Sequence, residues 1–275
     1  GSVLWVWRSD ASAVANGVLQ LPDAGGTGAL IIAGYRVIGG KAQRTLTKLS
    51  SSNGSEEWNA AWAGHSGGGG GGGGKHGAWE NIALTSDGTA LLLAGLVEAA
   101  SMSEFDFKSY GNVVSGAAVV MRLPVSAVLG NRAPAEAAVS WTYGPDRNYL
   151  TCKAARMLAD GSVVALLFAE GRGKMAALVK VSGATGSVLW GPTDHGSSHG
   201  EGTDVVGALD GSGAVVITGH GDGGVRGALS GRLTKVNGDG SRAWSRSYSA
   251  GGTPGLIKNE CWAVQPLVDG YVIGC

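Results

Sequence analysis

"LVKVSGATGSVLW" (Leu178–Trp190) decides the fold, because its close kin recur along the chain. The pentamer Gly-Ser-x-x-Trp stands at Gly1–Trp5, Gly54–Trp58, Gly186–Trp190 and Gly240–Trp244, and a degraded copy, "AAVSW", ends at Trp141. A basic residue beside aliphatic ones precedes four of these anchors: "LTKLSSSNGSEEW" (Leu46–Trp58), "VMRLPV" before Trp141, "LVKVSGATGSVLW", and "LTKVNGDGSRAW" (Leu233–Trp244). Each reads as strand, turn, strand, since Asn-Gly, Thr-Gly and Asp-Gly between aliphatic runs are hairpin signals. The recurrence assigns the opening Gly-Ser to the repeat.

A second hairpin accompanies each anchor. The copies are "NGVLQLPDAGGTGALIIAGY" (from Asn16), "ENIALTSDGTALLLAGL" (from Glu80), "CKAARMLADGSVVALLFAEG" (from Cys152), "DVVGALDGSGAVVITGH" (from Asp204) and "CWAVQPLVDGYVIGC" (from Cys261). In each, the second strand is almost continuously apolar, the pattern of a strand buried on both faces. One period of about 50 residues therefore holds four strands. The predicted fold is all-β, a β-propeller of about five four-stranded blades, incomplete at both ends. It forms one domain over 1–275, with blades at about 9–62, 78–143, 148–190 and 203–248, and a last one from 260–275 plus 1–8. Residues 1–8 supply only a last strand and 260–275 only two first strands. Either the ring closes with a short blade or the chain is a segment of a longer polypeptide, and the cut blades favour the segment.

Composition bounds the function. Net charge is zero and charged residues are only 15% of 275, which removes the basic field that nucleic-acid or anionic-membrane partners need. No apolar run reaches the roughly 20 residues of a membrane helix. Glycine, 50 residues, has no collagen period and fits frequent tight turns. Two stretches interrupt the repeat. One is a glycine-rich loop at 65–77, expected to be flexible. The other is an insertion at 97–116, whose Phe105, Phe107 and Tyr110 suggest a partner contact.

The spacing T-G-x-x-x-W in Thr185–Trp190 resembles the tryptophan-docking repeat of pyrroloquinoline-quinone (PQQ-like) propellers. "TSDGTALLLAG" (Thr85–Gly95) resembles the Asp-Gly repeats of secreted bacterial and algal propeller proteins. The resemblance implies that Trp5, Trp58, Trp141, Trp190 and Trp244 pack between blades, a role that suits a large apolar ring with one N–H to satisfy.

Other candidates are polar. Asn16, Glu80, Asn148, Asp204 and Asn259 recur before the first strands and predict a polar ring on one rim. His195, His199, Glu201 and Asp204 form a weak metal set of nitrogen and oxygen ligands, so Zn or Ca is a secondary option while no cofactor is expected. "NGDGS" (Asn237–Ser241) reads as a turn. No nucleophile elbow, zinc-protease helix or P-loop occurs. Of the cysteines, Cys152 and Cys261 take matching places. Counting back from a turn at Asp269-Gly270 sets Cys275 opposite Val264, which argues against a Cys261–Cys275 bridge and for a disulfide or assembly partner of Cys275 elsewhere. Asn53 heads a glycosylation signal. Together these features predict a non-enzymatic, extracellular or cell-surface scaffold that binds protein or glycan within a larger protein or assembly. The alternatives are a quinoprotein-like or glycan-active enzyme and a lectin-like propeller.

Overall fold

A computed structural model describes residues 4–10, 12–21, 28–63, 75–99, 101–102, 113–114, 116–169, 174–196, 201–222, 229–248 and 260–275. The described contacts gather into two compact units, Gly1–Arg147 and Asn148–Cys275. The chain is all-β and built from four-stranded antiparallel sheets of the kind that form propeller blades.

The first unit holds two such sheets. One runs β1 (Ala13–Leu21), β2 (Ala29–Ile38), β3 (Lys41–Ser50) and β4 (Glu56–Trp62) in sequence order. The other takes β5 (His76–Leu84), β6 (Ala90–Ala99), β9 (Ala117–Pro124) and β10 (Trp141–Asp146). A small hairpin of β7 (Ser101–Met102) and β8 (Val113–Val114) sits in the insertion. A single-turn helix, α1 (Val125–Leu129), follows β9. The second unit holds the sheet β11 (Thr151–Met157), β12 (Val163–Ala169), β13 (Lys174–Val181), β14 (Val188–Asp194). It also holds the sheet β15 (Gly202–Gly207), β16 (Val215–Asp222), β17 (Leu229–Val236), β18 (Arg242–Tyr248). It ends on a two-stranded hairpin, β19 (Ala263–Leu267) and β20 (Gly270–Gly274). Residues 4–10 form no strand among the described residues.

The second strands are buried as their sequences require. Every residue of β6 and β12 is buried. Leu91, Leu93, Val119 and Leu123 join Leu21, Ile31, Leu46 and Trp58 in one core between the first two sheets. Leu166, Leu178, Val205 and Ile217 do the same between the next two. Face-to-face burial of this kind contributes about 25 cal/mol per Å² of apolar surface. The turns after the first strands are closed by aspartate. Asp87 accepts from the Thr89 N–H at 3.0 Å, Asp160 from the Ser162 N–H at 2.9 Å and Asp210 from the Ser212 N–H at 3.0 Å.

The repeated Gly-Ser-x-x-Trp acquires a physical reason here. The indole of Trp5 lies on Gly54, where a Cβ would stand 2.4 Å from the ring, and its N–H donates to Ser51 O at 3.1 Å. Trp190 lies likewise on Gly240, 3.1 Å from a Cβ there, and donates to Gly238 O at 2.9 Å. The glycine of one copy thus seats the tryptophan of the copy before it.

The terminal hairpin corrects the cysteine expectation. Cys261 and Cys275 form a disulfide, so Cys275 is not available to an outside thiol. The turn is Val268-Asp269, with Leu267 opposite Gly270, and Val264 therefore faces Ile273. The Trp262 N–H donates to Gly274 O at 2.8 Å, leaving Cys261 to meet Cys275. Cys152, the third cysteine, is a buried thiol 3.4 Å from Ala154 O.

Candidate functional site

A register shift marks the first strand of every complete sheet. It falls between Ala15 and Gly17, Trp79 and Asn81, Cys152 and Ala154, and Gly202 and Asp204. The extra residues are Asn16, Glu80, Lys153 and Thr203. A bulge turns one side chain out of the ladder and re-aims it. The side chains of Asn16, Lys153 and Thr203 reach past their own sheet. Asn16 donates to Trp79 O at 2.7 Å, Lys153 pairs with Glu201 at 2.9 Å, and Thr203 donates to Cys261 O at 2.6 Å. Glu80 lies near Tyr35, whose phenol is raised in pKa first by burial and then by this carboxylate.

The bulge also explains the glycine that recurs within most second strands. Gly34, Gly95 and Gly219 each face the residue before a bulge. A Cβ there would lie 1.9 Å from Val14 O, 2.1 Å from Ala78 O and 1.9 Å from Glu201 O, so no other residue fits without moving the backbone. Leu167 holds that place in the third sheet.

The predicted rim residues separate on this frame. Asn16 and Glu80 sit in bulges. Asp204 stands one residue past the bulge, and Asn148 is exposed in the turn after β10. Asn259 lies outside the described residues, as do Phe105, Phe107, Tyr110 and His199. Asp204 is committed to the protein itself. Its Oδ1 accepts from the Arg156 guanidinium and the Val205 N–H, both at 2.9 Å, and its Oδ2 from the Val264 N–H at 3.3 Å. Burial raises its pKa, against the opposing pull of Arg156. Among the described residues no group of three or more His, Cys, Asp or Glu is arranged to hold a metal ion.

His195 and Glu201 do line a common cavity, with Thr218, His220, Arg232 and Thr234. Its volume is about 10 Å³, room for about one water. His195 is 3% exposed, and neither ring nitrogen has a hydrogen-bond partner among the described residues. Burial, then the charge of Arg242, lowers its pKa against the pull of Asp194. Glu201 lies between Lys153 at 2.9 Å and His220 Nε2 at 4.0 Å. Trp262 stands beside His220, with ring centroids 6.3 Å apart. In the first unit an open cleft of about 620 Å³ is lined by Trp7, Arg8, Ser9, Asn16, Val18 and Ile32 among others.

The tryptophans differ in their partners. Trp58 donates to Gly130 O at 3.1 Å. Trp141 is buried at the start of β10, and Trp244 packs with Leu233, Val264 and Ile273. Sequence reading missed Lys153, Thr203 and Trp62, which donates to Pro134 O at 3.1 Å. The recurring glycine within the second strand was the signal for Thr203, whereas Leu167 stands at that place opposite the bulge of Lys153.

No family model and no curated protein matches the chain. Among solved structures it is similar to the extracellular domains 1–2 of Drosophila Semaphorin 1b, at 13% identity and a TM-score of 0.50, over 98% of this chain and 48% of that one. Another match is the quinohemoprotein alcohol dehydrogenase ADHIIG from Pseudomonas putida HK5, at 12% identity and a TM-score of 0.49, over 88% of this chain and 47% of that one. The chain thus spans about half the length of these structures. Fold-level likeness carries no activity with it.

Proposed function

We propose that the protein is a non-enzymatic interaction scaffold of the propeller type, built from about five blades of PQQ-like and Asp-Gly character and acting outside the cell or at its surface. One observation carries the reading. The polar side chains that the first-strand bulges aim outward are spent on the next sheet: Asn16 on Trp79, Lys153 on Glu201 and Thr203 on Cys261. A charge held by a buried counter-charge serves cohesion between sheets rather than proton transfer to a substrate. The Cys261–Cys275 disulfide supports an oxidising compartment. The partner is a protein or glycan, and the scaffold works within a larger protein or assembly. Among the described residues no helix is long and apolar enough to cross a membrane.

A second reading, an acid–base or small-ligand site, is favoured by the His195–Glu201–His220 cavity alone. Glu201→Gln separates the two. The scaffold reading predicts a lower melting temperature for the variant, with no turnover of quinone-linked alcohols or glycans by either protein. Turnover by the native chain that Glu201→Gln abolishes at unchanged melting temperature contradicts it.

A further inference from the structure

In three of the complete sheets the third and fourth strands are joined by a tight turn, and one residue has the same task in each. It stands directly before the repeated Gly-Ser: Asn53, Thr185 and Asp239. Its side-chain oxygen accepts from the serine N–H. Asn53 Oδ1 accepts from Ser55 at 3.0 Å, Thr185 Oγ1 from Ser187 at 3.3 Å and Asp239 Oδ1 from Ser241 at 2.9 Å. Turns of this kind need an acceptor at that place and nothing more, and Asn, Asp and Thr all supply one.

Asparagine brings a group that this task leaves unused. Asn53 is exposed, and its Nδ2 has no partner among the described residues. Elsewhere the same group is spent on the fold: Asn16 donates to Trp79 O at 2.7 Å, Asn59 to Thr47 Oγ1 at 2.6 Å and Asn237 to Ser241 Oγ at 3.0 Å. The serine hydroxyls show the same contrast. Ser187 Oγ accepts from Thr185 Oγ1 at 2.9 Å, and Ser241 donates to Asp239 Oδ1 at 2.7 Å. Ser55 is exposed, and its Oγ has no partner among the described residues. The two idle groups are the amide and the hydroxyl of the sole Asn-x-Ser/Thr triplet in the sequence, Asn53-Gly54-Ser55. Gly54 is accounted for by the seat it gives Trp5 and Ser55 by its place in the repeat. Asn53 is the one member that the turn does not require.

Resting on the extracellular placement in the scaffold reading above, we infer that Asn53 carries an N-linked oligosaccharide. The donor is a polyprenyl-diphosphate oligosaccharide, met on the secretory route. The bond between its anomeric carbon and the phosphate oxygen breaks, and that carbon bonds to Asn53 Nδ2. Nδ2 releases one proton and polyprenyl diphosphate leaves. Oδ1 takes no part, so the turn keeps its acceptor after modification.

The test isolates the full chain from its source and reads the peptide bearing Asn53 by mass spectrometry. The peptide is measured before and after a peptide N-glycosidase acts in water enriched in oxygen-18. A glycopeptide is expected, which the enzyme converts to a sugar-free peptide with a heavy-oxygen aspartate at position 53. A bare Asn53 peptide in material recovered outside the cell overturns the inference and leaves the scaffold reading standing. A chain confined to the cytosol overturns the extracellular placement and the inference together. Turnover by a glycosylated chain overturns the scaffold reading alone. A second measurement uses the full chain made in bacteria, without sugar. Asn53→Thr keeps the acceptor and should leave the melting temperature unchanged, while Asn53→Ala lowers it. A lower melting temperature for Asn53→Thr would show that the amide serves the turn, and would overturn the inference.

Discussion

The β15–β18 sheet and the β19–β20 hairpin begin alike and finish differently. Both start with a first strand next to a close approach of the second, and both turn on an aspartate. One has a third and a fourth strand and buries Val216 completely; the other has two strands among the described residues and leaves Val272 more than half exposed. The difference teaches that the first two strands specify register, and that burial is conferred by what is added on the outer side and the open face. A disulfide stands in the hairpin where three of the complete sheets have a glycine packed on the first strand's backbone and the third sheet has Leu167 opposite Cys152.

The largest expected effect comes from breaking that substitute. Cys261→Ser with Cys275→Ser opens a loop spanning 14 positions, a loss of about 3 kcal/mol by chain entropy. It falls on the hairpin alone, so amide exchange should rise across 263–274 and stay unchanged in β12. Next is the close approach. Gly219→Ala puts a Cβ 1.9 Å from Glu201 O and should cost about 2 kcal/mol or more by denaturant unfolding, whereas Gly270→Ala, with nothing within 4 Å, should leave the midpoint within about 0.5 kcal/mol. Third, Val216→Ala should cost about 2 kcal/mol and Val272→Ala under about 0.5 kcal/mol, although the two occupy the same place in the repeat. Equal costs would mean that the open face is covered.

The smallest effect is in pH. His195 has a lowered pKa in the folded chain because burial disfavours its charged form, so the unfolded chain binds the proton more readily. His76 is lowered for the same leading reason, and its Nδ1 accepts from the Ala42 N–H at 3.1 Å. Stability should therefore fall as pH drops below about 6.5. His195→Asn should flatten part of that slope in thermal scans at pH 5 to 7.

Much of this architecture is legible in the residues. Gly-Ser-x-x-Trp marks the fourth strand because a tryptophan needs a seat without a Cβ, and the continuous apolar runs mark the second strands because both faces are covered. The bulge was not legible as such. One extra residue in a first strand changes no composition and shows only through the glycine opposite. For the same reason the Cys261–Cys275 pairing could not be counted from the turn. The turn sits one residue earlier than Asp-Gly suggests, and the ladder shifts again at Trp262. Of the residues named for the polar ring, Asn16 and Glu80 lie in bulges and Asn148 and Asp204 outside them, while Lys153 and Thr203, whose types carry no such signal, lie in bulges.

The most direct test is native amide exchange of the unmodified chain, compared between β16 and β20. Slow exchange at every ladder position of β16, with alternating fast and slow amides along β20, is the result predicted for a second strand that lacks its third. Uniformly slow exchange along β20 would show that its outer edge is already paired, and would contradict the account.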